Sequence, residues 1–143
     1  MASKIYGSLV TKAFNKEVDY DTDVIKVMLC TSVYAPNQDT HVYKSDVTNE
    51  VTGTGYTATG SALTTKTVTY DAATNVTILD ADDVTWAAST ITARYAVIYD
   101  ASPATDATRP LLGYVDFGSD QASTAGNFTI TWDATGIFRF TVA

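Results

Sequence analysis

Several kinds of residue are scarce in this chain, and each scarcity excludes a class of chemistry. Cys30 is the only cysteine, so no disulfide can form within the chain. His41 is the only histidine, and without a second one a zinc centre of the usual His/Cys kind has too few ligands. Basic residues number 9 against 16 acidic ones, for a net charge of −7. There is no Lys/Arg stripe to displace counterions from DNA or RNA, and an anionic lipid leaflet would repel such a chain. No apolar run approaches the length of a membrane span. The opening residues Met1-Ala2-Ser3-Lys4-Ile5-Tyr6-Gly7 lack an apolar stretch, so no secretory signal is expected. Only three prolines and eight glycines occur, mostly in short polar clusters that read as turns.

What is abundant points to strands. There are 25 threonines and nine tyrosines among 143 residues, and both residue types favour a pleated, half-buried backbone. The hydrophobic fraction of 45% is ample for a packed core in a chain of single-domain size. The reading is one domain, residues 1–143, without a linker.

Periodicity changes along the chain. In residues 3–16 the apolar positions come in pairs, Ile5/Tyr6, Leu9/Val10 and Ala13/Phe14. That spacing makes one stripe on a helix and predicts a short N-terminal helix. Val18 to Asp23 follows as an acidic turn. From Val24 the period becomes two, with Ile25, Val27 and Leu29 on one face and Lys26, Met28 and Cys30 on the other. Residues 33–50 form a polar excursion in which Tyr43 and Val47 allow one helical turn. Strands are then expected over Leu63–Tyr70, Val76–Leu79, Val84–Trp86, Ile91–Tyr99, Leu111–Phe117, Phe128–Trp132 and Phe138–Val142, with 118–126 as a polar turn region. Ile91, Ala93, Tyr95, Val97 and Tyr99 would share one face of their strand. Short strands with regular turn signals and no βαβ alternation predict an all-β fold, an antiparallel β-sandwich or jelly-roll-like barrel. Phe128, Ile130, Trp132, Phe138 and Phe140 are the expected core.

No catalytic, cofactor-binding or metal-binding residue is assigned from the sequence, and the chain is read as not an enzyme. His41 reads as a loop histidine near water, and Cys30 as a small hydrophobe. Asp19, Asp21 and Asp23 imitate the start of an EF-hand loop. The sixth and twelfth positions of that loop, which need Gly and Glu, hold Val24 and Cys30 here. Asp80, Asp82 and Asp83 form a second acidic turn. Both groups read as solvated carboxylates. Gly53-Thr54-Gly55 lacks the Lys-Ser/Thr ending of a phosphate loop.

Several segments together carry a resemblance. They are Phe14 to Asp23 running into Ile25–Leu29, then Asn49 to Tyr56, Asp82 to Trp86, Thr90 to Tyr99, and Gly113 to Gly118. Their order and spacing resemble a family of short proteins encoded among the structural genes of tailed bacteriophages. The resemblance implies a virion structural protein, above all a capsid decoration (cement) protein bound outside the head. Its partners would be the major capsid protein and copies of itself as a homo-oligomer, with no nucleic acid and no membrane. Its location would be the phage particle, after synthesis in the host bacterial cytoplasm. A tail, baseplate or fibre component, or a host-surface carbohydrate-binding module, are the alternatives. The N-terminal segment and residues 33–60 would make the contacts, since binding residues often lie outside regular strands.

Overall fold

A computed structural model describes residues 2–143. It is a β-sandwich of two antiparallel sheets. The larger sheet is built from β1 (Ala2–Ile5), β2 (Ile25–Cys30), β3 (Ser61–Ala62), β6 (Val84–Asp100) and β7 (Leu111–Ile130), in the order β1-β7-β6-β2-β3. The smaller holds β4 (Thr67–Asp71), β5 (Val76–Asp80) and β8 (Phe138–Thr141), in the order β4-β5-β8. One short helix, α1 (Leu9–Phe14), and single 3-10 turns at Lys44–Asp46 and Asp106–Thr108 complete the elements.

The expected helix over 3–16 is therefore only partly present. Residues 2–5 pair with Asp116–Gly113 of β7 as a strand, because a sheet edge offers backbone partners that an isolated turn of helix lacks. The helix begins after Gly7 and stops within two turns. Lys16, at φ 61°, closes it: the Glu17 N–H reaches the Lys12 carbonyl and the Lys16 N–H the Ala13 carbonyl.

The alternation in β2 is reproduced. Ile25, Val27 and Leu29 enter the core between the sheets, with Ile98, Leu79 and Phe138. Met28 and Cys30 enter a second cluster on the other face of the large sheet, with Tyr6, Tyr34, Val97, Tyr99 and Leu111. β2 is thus buried on both faces. The polar excursion supplies much of the second cover: Tyr34 is buried, Val47 partly so, and hydrogen bonds from Gly7 N–H to the Gln38 carbonyl and from Leu111 N–H to the Val42 carbonyl hold it down.

Strands β6 and β7 are each much longer than expected. The 118–126 region is not a free turn but part of one continuous antiparallel ribbon, in which Ile91 pairs with Ser123 and Ser89 with Gly126. The turn signals read there mark irregularities instead. The two-residue step from Ala93 to Tyr95 is opposed by the five-residue step from Asp116 to Gln121. Gly118 sits inside that bulge at φ 81°. The bulge also changes which face looks inward. Ile91 and Ala93 join the core between the sheets, whereas Val97 and Tyr99 join the opposite cluster, so the five residues expected on one face are split between two.

Of the expected core, Phe128, Ile130, Trp132 and Phe138 are buried, and Phe140 is partly buried against them. Trp132 lies just beyond β7 and is locked by two bonds. Its backbone N–H donates to Asp83 Oδ1 at 2.9 Å and its indole N–H to the Asp82 carbonyl at 2.9 Å. Gly60 leads into β3 at φ 82°, pressed against the backbone of Val27 and Met28, where a side chain has no room.

Candidate interaction surface

The small sheet is not fully covered. Cross-strand partners share a face, so Val68, Leu79 and Phe138 form one inward row and Tyr70, Thr77 and Phe140 the next. Phe138 and Leu79 are buried, but at β4 the large sheet has ended: Val68 is 43% and Tyr70 55% exposed. Helix α1 lies over the opening. Leu9 points into the core, while Val10, Ala13 and Phe14 are exposed. Six residues of helix cannot reach across to β4. An open apolar groove of about 600 Å³ remains between them, walled by Val10, Phe14, Val18, Val68, Phe140 and Val142 among others. Phe14 stands at its lip, 86% exposed. A large aromatic side chain held that far into water beside an apolar cleft makes the groove the candidate interaction surface.

The residues weighed from the sequence are scattered elsewhere. Cys30 is buried, and burial pushes its thiol up to about 12, which keeps it protonated and unreactive. His41 is half-exposed. Its Nδ1 lies 3.0 Å from the Tyr34 hydroxyl, which lies 2.8 Å from the buried Tyr6 hydroxyl. The histidine ends a short chain that satisfies two buried phenols. Asp19 and Asp23 bond to their own loop: Asp23 Oδ2 accepts the Asp19 N–H at 2.7 Å. Asp82 Oδ2 accepts the Thr64 and Thr65 hydroxyls, and Asp83 holds Trp132 as described. Among the described residues, no three or more His, Cys, Asp or Glu side chains gather as a metal site would require. Thr54 of the Gly53-Thr54-Gly55 stretch bridges to Thr90 of β6, which makes that loop a strap over the ribbon. Among the described residues no helix is long and apolar enough to cross a membrane.

One buried group had no sequence signal. Asp100 ends β6 at the position opposite Ile25, on the core face, and is fully buried. Its Oδ1 accepts the Ser102 N–H at 2.9 Å. Its Oδ2 lacks a conventional partner and meets the carboxyl of Asp23. Burial first, and the facing Asp23 second, push the Asp100 carboxyl up to about 7. The two acids are 77 positions apart, and only the pairing of β2 with β6 brings them together.

The segments expected to make contacts are partly built into the body. Residues 2–5 are a paired strand; in 33–60, Tyr34 and Val47 cover the second cluster and Val51 and Tyr56 join the core between the sheets, while Asn37–Thr40 and Thr52–Gly55 stay exposed. The groove beside Phe14 was missed because its walls come from α1, β4 and β8, which are remote in sequence. The unbalanced apolar pair Val10/Phe14 on a short helix was the only available hint. No family model matches this chain, nor does any curated protein or solved structure.

Proposed function

We propose that this chain is a non-catalytic virion structural protein of a tailed bacteriophage, a decoration protein that docks on the outside of the head through the groove beside Phe14. The exposed apolar groove carries the reading: a stiff two-sheet body holds an apolar cleft open and an aromatic side chain at its lip. The chain segments that resemble phage structural proteins point to the particle. A net charge of −7 suits a shell exterior, away from packaged DNA. The occupant is an apolar segment of the major capsid protein. Repetition of that contact over a shell of identical subunits raises affinity through effective concentration.

The test is fractionation of phage particles combined with Phe14→Glu. The protein is expected on DNA-filled, tail-less heads in numbers comparable to capsid subunits, and the variant is expected to fold but to be missing from them. Recovery with isolated tails in few copies would replace this reading by a tail component. Retention of the variant on heads would remove the groove as the docking site.

A further inference from the structure

The outer edge of β4 is exposed. The strand lies at the border of the small sheet and packs on β5. Thr67, Val68, Thr69 and Tyr70 are all exposed, on both faces. Its five residues pair with β5 in unbroken register, without a bulge. It contains no proline, and no charge lies within Thr67–Tyr70. Such a strand presents a straight row of unpaired N–H and C=O groups, and of the devices that blunt an edge it has only the charge of Asp71 at its end, with no proline and no bulge.

We propose that β4 is a homodimer interface in which two copies pair antiparallel across a two-fold axis at Thr69, joining two three-stranded sheets into one of six strands. The sequence Thr67-Val68-Thr69-Tyr70-Asp71 is complementary to its own reverse. In the register that uses all five residues, Val68 opposes Tyr70 of the second copy twice, on the apolar face. Thr69 opposes Thr69, and Thr67 opposes Asp71, on the other. Aromatic with β-branched and Thr with Thr are favourable cross-strand pairs. The charges agree as well. The strand runs from Lys66 at one end to Asp71 at the other, so antiparallel pairing sets the basic end of each copy beside the acidic end of the other. No like charges face each other. A second copy therefore fits this edge better than a chain of arbitrary sequence, and an isologous contact closes without growing into a filament. The contact adjoins the groove, since Val68 belongs to both, but it is argued from the edge of β4 alone and holds whatever particle the protein belongs to.

Engineered cysteines test the register in the intact chain. Thr69→Cys places two thiols directly opposite across the axis and is expected to give a disulfide-linked dimer under mild oxidation. Thr67→Cys, whose opposite number is Asp71, is expected to stay a reduced thiol and unlinked. Buried Cys30 does not compete. Thr69→Lys sets two ammonium groups face to face, and is expected to convert a species of twice the chain mass in sedimentation equilibrium to a folded monomer whose melting temperature no longer depends on protein concentration. A wild-type protein that sediments as a monomer throughout the micromolar range would overturn the proposal. So would equal cross-linking of the two cysteine variants. Phe14 lies in α1, outside β4, so head binding by the monomeric Thr69→Lys protein reads the groove separately from the dimer.

Discussion

Raising the pH should destabilise this protein, and Asp100 is the reason. In the unfolded chain its carboxyl loses a proton near the ordinary 3.8, whereas in the folded chain burial against Asp23 keeps the proton on until about 7. Between those values unfolding releases a proton, so stability falls as pH rises; it is fully present below about 4 and levels off above about 7. A carboxyl moved from 3.8 to about 7, at ~1.4 kcal/mol per pH decade, represents on the order of 4 kcal/mol as an upper limit. Asp106 and Asp116 act in the opposite sense. The Lys44 ammonium and the Arg94 guanidinium hold their carboxyls below the usual range, so what they contribute is lost only as pH falls below about 4. Asp100→Asn keeps the shape, can donate to Asp23 and cannot ionise. Urea unfolding of both proteins from pH 4 to 8 gives the assay. The difference between wild type and variant should shift toward the variant across that range, by one to several kcal/mol on this linkage argument. A difference that stays flat from pH 4 to 8 would show that Asp100 does not hold its proton in the fold, and the argument would fail.

Other expectations concern packing and the polar chain to the surface. Trp132→Ala removes a buried indole and its bond to the Asp82 carbonyl, while the backbone bond to Asp83 stays; it should cost about 3–5 kcal/mol, read as a lower urea midpoint at unchanged m-value. His41→Ala deletes one hydrogen bond to Tyr34, and should cost about 1 kcal/mol in the same assay while leaving particle association intact. If particle association were lost, the histidine would have a binding role that its position at the end of the Tyr6–Tyr34 chain does not suggest.

Where local pattern and final structure agree, the cause is local. The period of two in Ile25–Cys30 survives because each face of β2 meets a different apolar layer, so no other register is tolerated. The turn at 71–75 is legible because Asp71 can cap its own backbone, accepting the Ala73 N–H and the Thr74 hydroxyl. Local pattern fails where distant strands decide. Ser3 and Lys4 lie in a strand only because Val115 and Tyr114 offer their edge. Gly118 looks like a turn residue, and it does serve to bend the chain, yet within a ribbon whose other strand is fixed by β2. Neither Asp100 nor the groove has a short-range signature, since each is assembled from elements separated by dozens of residues. The chemistry of the acidic loop 19–23 could be read from its residues, but its meeting with Asp100 could not.

The pairing of β1 with β7 sets the order of events during biosynthesis. Residues 2–5 have no sheet to join until residues 113–116 have been made, and β5, paired early with β4, has its other edge open until β8 is made. Contacts of such long sequence separation place the protein among slow folders, with relaxation in milliseconds to seconds rather than microseconds. Throughout that interval the nascent chain carries unpaired strands and the apolar residues of α1. Its yield in a cell should therefore depend on how quickly the ribosome delivers the last third of the polypeptide, and on what shields the first strands meanwhile.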